Sequence, residues 1–285
     1  MSRISGAEPS ELRVRPAVSK VSGAVPAAAA PVVFVHGSMD RSIGFRRVVD
    51  YLPGRPVVGY DRRGWGRSRS MGGPNVSMAT HVDDLCAVLA ELDAPPVVVG
   101  HSYGALVALA AAARRPESTA GVVAFEPPVR WLPWWPASDP WEETVSRSAA
   151  DGGPEQAARA MLTEILGRTG RLVLARAQPA DLAADGASLL AEMADPTFNV
   201  PFFDPLDVHT PTVVAAGSLS VPHHREVALR LADLLPHGQF VEIQDARHAA
   251  HVSHPQEFAR LIDKLEQAQT AGEAARGGTT AATEL

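Results

Sequence analysis

The sequence predicts an α/β protein whose central sheet is mostly parallel and is flanked by helices on both faces. Short runs rich in β-branched residues alternate along the chain with segments long enough to form helices. These runs are apolar almost throughout, as expected of strands that are buried on both faces of a parallel sheet. The helix-length intervals between the runs favour crossover connections over hairpins.

Six runs are predicted to be the strands: PVVFV at 31–35, PVVGY at 56–60, VVV at 97–99, GVVAF at 121–125, TVVAA at 212–216 and FVEI at 240–243. Between the second and third runs, HVDDLCAVLAEL places Cys86 beside Val82, Leu85 and Leu89 on the apolar stripe of a helix. We therefore interpret Cys86, the only cysteine, as a core residue. A single cysteine allows no disulfide within the chain, which is consistent with a reducing compartment.

A helical cap is predicted to interrupt the alternation. The stretch 128–206 contains no convincing strand, but it includes helical patterns such as PEQAARAMLTEIL and DLAADGASLLAEM. It opens with PPVRWLPWWPASDPW, which holds four of the five tryptophans. Large aromatic rings on a cap are suited to lining an apolar ligand pocket or to packing the cap onto the body. Trp131, Trp134 and Trp135 are our pocket candidates from this segment.

The cap divides the predicted core into 31–127 and 207–266. Residues 1–30 are short of large apolar side chains, so they are predicted to be flexible, with at most a weak edge strand. Residues 267–285 have the same character and are predicted to form a disordered tail.

Composition and charge exclude several kinds of partner. The chain has 285 residues, a formal net charge of −6 and a mild pI of 5.9, without the basic excess typical of proteins that bind nucleic acid or anionic membranes. No apolar run is long enough to span a bilayer, and the N-terminus has no signal-peptide pattern. We therefore expect a cytoplasmic protein with a small-molecule substrate, no nucleic-acid or membrane partner and no cofactor.

The segment VVVGHSYGALVAL carries the strongest chemical signal. A strand, then Gly100-His101-Ser102-Tyr103-Gly104, then a helix is the context of the G-x-S-x-G nucleophile elbow. The glycines permit a turn so sharp that it strains the serine backbone. The hydroxyl then lies at a helix N-terminus, where N–H groups favour a developing anion. Ser102 is the predicted nucleophile.

Four motifs in order over about residues 30–266 resemble the α/β-hydrolase superfamily, in particular a branch with a serine nucleophile and a helical cap. FVHGSMD resembles its oxyanion loop, YDRRGWGRS the turn after the next strand, GHSYG the elbow, and ARHAAHVSHPQEF the histidine loop. The resemblance implies oxyanion donors at the backbone amides of Ser38 and Tyr103. His36 and Met39 of the first loop are pocket candidates, although a structural role is the alternative for His36.

His248 is the predicted base, since serine needs an imidazole that accepts its proton and returns it to the leaving group. His251 and His254 follow at intervals of three, which on a helix would align three imidazoles. No cysteine or carboxylate set completes a metal site with them, so none is predicted.

The acid departs from the family pattern. The family usually has G-x-x-D after the penultimate strand, but this chain has serine at Ser220. Glu126 is the best substitute, because it ends the strand after the elbow and precedes two prolines that restrict its backbone. Asp245 is close to His248 on the same loop, and Asp204 and Asp207 precede their strand. A serine–histidine pair without an acid is the remaining alternative.

The predicted activity is hydrolysis of a small or medium carboxylic ester with an apolar portion, through an acyl-enzyme. Serine at the elbow argues against the dehalogenase and epoxide hydrolase branches, which attack with a carboxylate. Thioester hydrolysis, carbon–carbon bond hydrolysis and cofactor-free perhydrolysis could use the same layout. The layout would also suit a low-turnover binding or sensor protein, which Ser220 favours, or a lyase or cyclase with His248 as base.

Overall fold

A seven-stranded sheet forms the centre of the molecule. The computed structural model describes residues 14–17, 30–73, 76–133, 135–136, 139–167 and 174–280. The strands follow the order β1-β3-β2-β4-β5-β6-β7, and only β1 is antiparallel to its neighbour. Their bounds are Val14–Ala17, Val32–Val35, Val57–Tyr60, Val97–His101, Gly121–Phe125, Thr212–Gly217 and Gly238–Ile243 for β1 to β7. The predicted fold class is confirmed.

The central strands are buried because helices cover both faces of the sheet. Every residue of β2, β4, β5 and β6 is buried. Successive side chains point to opposite faces, so Val33 and Val35 belong to one core cluster and Val32 and Phe34 to the other. This two-sided burial explains why the strand runs are apolar throughout.

Eight α-helices are described, and they divide between the two faces and the cap. Their bounds are Arg46–Val49, Met78–Ala90, Tyr103–Arg114, Pro140–Leu166, Pro179–Ala194, Pro222–Leu234, Ala250–Ser253 and Pro255–Thr280 for α1 to α8. Helices α2, α3 and α6 pack on one face, and α1 and α8 on the other. Cys86 on α2 is buried in the first of these cores, as predicted. None of the described helices has the length and hydropathy needed to cross a membrane.

The segment between β5 and β6 is helical. Helices α4 and α5 pack against each other there, and α4 is kinked at Gly152 and Gly153, where the backbone leaves the helical region. The described part of this segment contains no strand.

The chain ends differ in part from the sequence-based expectation. The predicted flexible segment 1–30 contributes β1, an edge strand that pairs with β3, and most of its other residues lie outside the described ones. The predicted tail 267–285 instead continues α8 as far as Thr280. Alanine, the best helix former, is the most common residue in this stretch, which low hydrophobicity alone does not reveal.

Candidate active site

Ser102 lies on a strained turn between β4 and α3. Its φ of 53° and ψ of −124° place a non-glycine residue in a region that L-amino acids rarely adopt. The Ser102 N–H donates to the carbonyl of Phe125 on the neighbouring strand at 2.8 Å, which anchors the turn. A Cβ on Gly104 would lie only 2.2 Å from the Val35 carbonyl oxygen, so only glycine fits there. The local geometry is that of a nucleophile elbow.

Two backbone segments approach Ser102 where an oxyanion would form. Tyr103 is the first residue of α3, and the first N–H groups of a helix have no partner within it. On the other side, a Cβ placed on Gly37 would lie 3.0 Å from the Ser102 Cβ, which brings the loop after β2 directly against the turn. Ser38 and Tyr103 both line the same cavity as Ser102. The two residues predicted as oxyanion donors therefore flank the predicted nucleophile.

The imidazole of His248 contacts the carboxylate of Glu126. The distance from His248 Nδ1 to Glu126 Oε2 is 2.6 Å, and the Glu126 side chain is fully buried. Glu126 follows β5 and His248 lies in the loop after β7, so both occur at the carboxyl edge of the parallel sheet. The structure thus brings together the base and the acid that the sequence suggested, although they are far apart in the chain.

Four donors converge on the Glu126 carboxylate. Oε1 accepts from the Gly217 N–H at 2.9 Å and from the Ser220 hydroxyl at 2.5 Å, and Oε2 accepts from His224 Nδ1 at 3.1 Å as well as from His248. Burial raises the pKa of Glu126, but the hydrogen bonds and charges of the two histidines outweigh it and hold the pKa well below its usual range. Glu126 is therefore an anion that fixes the proton of His248 on Nδ1 and leaves Nε2 free to accept one.

Ser220 has a defined partner at the position where the family usually has its acid. Its hydroxyl donates to Glu126, so this position still serves the same buried carboxylate. Asp245 is exposed, and its backbone N–H donates to the Ser218 hydroxyl. Asp204 accepts from the Leu206 N–H and begins a short 3-10 helix before β6. Neither aspartate contacts His248.

Two further histidines support the site, and the sequence analysis did not assign them this role. His224 donates to Glu126, as described above. His101 Nε2 lies 2.8 Å from the His248 carbonyl oxygen, and burial lowers the pKa of His101 well below its usual value, so a neutral ring donates this bond. Both histidines lie at the same edge of the sheet, since His101 is inside the elbow and His224 follows β6. This topology was the feature of the sequence from which their role could have been predicted.

A cavity of about 410 Å³ opens over Ser102 and His248. This volume suits a small or medium organic molecule. Its wall toward the cap is mainly apolar and includes Trp135, Trp141, Met161, Ile165, Leu189, Met193 and Phe198. The ionisable side chains that line the cavity are Glu126, Asp139, Glu164, Glu192, His223, His224, Arg247 and His248.

Of the four pocket candidates that the structure describes, one lines the cavity and three lie elsewhere. Trp135 lines the cavity, whereas Trp131 packs against Phe202 and Phe203 with ring centroids 5.3 and 5.5 Å away. Trp134 lies outside the described residues.

The other two corrections concern the loop after β2. His36 is completely buried below the cavity, where Nε2 accepts the Arg62 N–H at 2.8 Å, so it has the structural role that was the alternative. Met39 packs among the apolar side chains of the cap instead of lining the cavity.

Glu192 on α5 ties the cap to the loop that carries Ser38. Its carboxylate accepts from the Ser38 hydroxyl at 2.5 Å, from Arg62 Nη1 at 2.6 Å and from Trp65 Nε1 at 2.9 Å. Arg62 and Trp65 belong to YDRRGWGRS, so a carboxylate of the cap binds two side chains of this turn. The cap and the predicted oxyanion loop thus share one buried polar cluster.

Comparisons with known proteins identify the family and support the fold. A family model described as the alpha/beta hydrolase family matches residues 32–261. Lipase LipV of Mycobacterium tuberculosis is 35% identical over 105 residues, which make up 36% of this chain and 40% of that lipase, so the match spans less than half of the lipase. A malate-bound thermophilic esterase from Thermogutta terrifontis has 26% identity and a TM-score of 0.63 over 85% of this chain and 91% of its own. The enol-lactonase from Burkholderia xenovorans, with 20% identity and a TM-score of 0.66 over 90% and 96% of the two chains, supports the fold alone.

Proposed function

Since the chain belongs to the alpha/beta hydrolase family and is a hydrolase, we propose that it is a serine esterase that cleaves small or medium carboxylic esters with an apolar portion. The observation that carries this proposal is the 2.6 Å contact between Glu126 and His248 in the wall of the cavity that also exposes Ser102. A buried anion against Nδ1 is what a histidine needs to act as a base through Nε2.

The proposed reaction has two stages. Ser102 Oγ attacks the ester carbonyl carbon as its proton passes to His248 Nε2, and the carbonyl electron pair moves onto oxygen between the amides of Ser38 and Tyr103. Collapse of this intermediate breaks the bond to the alcohol oxygen, which takes the proton from His248. Water then attacks the acyl-enzyme in the same way, with His248 as base, and releases the acid and free Ser102.

The substrate class follows from the cavity. Its volume of about 410 Å³ has room for a short or medium chain, and the apolar cap wall, with Met161, Leu189 and Phe198, suits an aliphatic or aromatic portion. The substrate is thus proposed to be a small molecule, and the protein to act in the cytoplasm without a cofactor.

A panel of nitrophenyl esters tests the proposal. We expect the wild type to hydrolyse acetyl to octanoyl esters and to react once with a fluorophosphonate, and we expect Ser102→Ala to lose both activities while it keeps its circular dichroism spectrum. Ser253→Ala, an exposed serine on α7, is the matched control and should behave like the wild type. Thioesters belong in the same panel. Undiminished ester hydrolysis by Ser102→Ala, or an inactive wild type over the whole panel, would contradict the proposal.

A further inference from the structure

We propose that Asp139, His223 and His224 form a binding site for a divalent transition metal ion such as Zn²⁺, and that an ion bound there inhibits hydrolysis. One ligand atom from each of the three side chains lies within 4.8 Å of the other two. His223 Nε2 is already 3.0 Å from Asp139 Oδ2. Two imidazoles and one carboxylate are a donor set that zinc accepts, with water in the fourth position. Asp139 is 84 residues away from His223 in the chain, and the sequence alone predicted no metal site.

His224 is held in the state that binds metals. Its Nδ1 contacts Glu126 Oε2 at 3.1 Å, so this carboxylate accepts the Nδ1 proton and the lone pair is on Nε2. A carboxylate that accepts the other ring N–H orients most metal-binding histidines and increases their basicity.

The surroundings hold the donors in place and leave the site accessible. The Trp135 ring packs against both histidines, with centroids 4.9 Å from His223 and 5.4 Å from His224, and thereby restricts their rotation. Asp139, His223 and His224 all line the cavity over Ser102, so an ion can enter from the cavity and keep an open coordination position toward it.

A neighbouring cluster is a weaker candidate for the same ion. Glu126, His224 and His248 also have ligand atoms within 4.8 Å of one another. In that cluster the Gly217 N–H and the Ser220 hydroxyl also donate to the carboxylate and would compete with the ion. The Asp139 carboxylate has, among the described residues, one donor besides His223, the Trp141 backbone N–H. We therefore assign the ion to Asp139, His223 and His224.

Inhibition follows from the position of the site. An ion on His224 lies one imidazole away from Glu126, so its charge draws electron density from the anion that supports His248. It also occupies the cavity in which the ester must bind. The inhibition part of the inference rests on the proposed function, but the binding part does not.

Calorimetric titration of the full chain with ZnCl2, after treatment with EDTA and dialysis, tests the site directly. We expect one ion per chain. His223→Ala and Asp139→Asn should each weaken binding at least ~10-fold, while the exposed His237→Ala, the matched control, should bind like the wild type. Ser102→Ala should also bind normally.

Three outcomes would overturn the inference: no zinc binding by the wild type, unchanged affinity in both site variants, or loss of binding in His248→Ala but not in His223→Ala. Ester hydrolysis is measured in parallel. ZnCl2 should inhibit the wild type and EDTA should restore it, and His223→Ala should need at least ~10-fold more zinc for the same inhibition. Zinc that binds as expected without inhibiting an active esterase would overturn the inhibitory role. If no ester is hydrolysed, the proposed function fails, and the titration still decides the metal site.

Discussion

Replacement of Glu126 by glutamine should reduce kcat by about 10⁴-fold, as loss of the triad acid does in serine proteases. The structure gives the reason. Glutamine keeps one carbonyl oxygen, which matches the two donors at Oε1, the Gly217 N–H and the Ser220 hydroxyl. Its NH2 group then occupies the Oε2 position and faces His248 Nδ1, which must become an acceptor. The proton of His248 moves to Nε2, so the ring can no longer accept a proton from Ser102.

This loss corresponds to about 5 kcal/mol of transition-state stabilisation. It is measured from kcat and KM for a nitrophenyl butyrate, with Glu257→Gln, at a partly exposed residue of α8, as the matched control. Circular dichroism and thermal melting show whether each variant is folded. A folded Glu126→Gln enzyme with kcat within tenfold of the wild type would refute the assignment of Glu126 as the acid.

The position of Ser220 offers a test by relocation. Its hydroxyl is 2.5 Å from Glu126 Oε1, so an aspartate at 220 would bring a carboxylate to the same pocket at the end of β6. We expect the double variant Glu126→Gln, Ser220→Asp to have a kcat at least ~10-fold higher than that of Glu126→Gln alone, since the new carboxylate can again accept the Nδ1 proton of His248. Equal activity of the double variant and Glu126→Gln would show that the two positions are not equivalent for catalysis.

Three other predictions concern the surroundings of the site. Glu192→Gln should lower kcat about tenfold with little change in KM, because the Ser38 hydroxyl loses its 2.5 Å contact with the carboxylate and the Ser38 backbone amide is then held less firmly. Complete loss of one oxyanion donor costs at most about 10³-fold, so the effect should be smaller than that. An unchanged kcat in a folded variant would contradict this prediction. Gly104→Ala should destabilise the fold by about 3 kcal/mol or more in urea unfolding, because its Cβ would lie 2.2 Å from the Val35 carbonyl oxygen; wild-type stability would be unexpected. Burial and the charge of Arg62 lower the pKa of His36 from 6.5 to about 4. Between these two pH values the unfolded chain binds a proton at His36 and the folded protein does not. The free energy of unfolding should therefore be highest above pH 6.5, fall as the pH is lowered toward 4, and be about 2 kcal/mol smaller at pH 5. A urea unfolding free energy equal at pH 7 and pH 5 would refute this last prediction.

The sequence was informative where the signal is local. Each predicted strand overlaps an observed one, because strands buried on both faces need continuous apolar runs. The elbow around Ser102 was recognisable because the sharp turn depends on glycines at fixed spacing. Glu126 could be proposed because the end of one strand is near the end of the next in a parallel sheet.

The sequence was less informative where a contact depends on how the cap packs. Trp131 and Trp135 occur in the same proline-rich segment, yet only Trp135 lines the cavity, since Trp131 is turned onto Phe202 and Phe203. No periodicity distinguishes these two orientations. The pairing of Asp139 with His223 likewise connects the start of the cap to the start of α6, and nothing local in either segment indicates the other.

The proposed acid of this site is defined by its place in the sheet more than by its place in the sequence. Strands β5 and β6 are parallel neighbours, so the residues that follow them, Glu126 and Ser220, reach the same point beside the loop after β7. Neighbouring strands are about 4.8 Å apart, and the 2.6 Å contact with His248 shows that a glutamate side chain spans this offset. The Gly217 N–H and the Ser220 hydroxyl then stabilise its charge from the β6 side. A serine at the usual acid position therefore does not by itself indicate a lost catalytic site, because its hydroxyl supports an acid that reaches the imidazole from the adjacent strand.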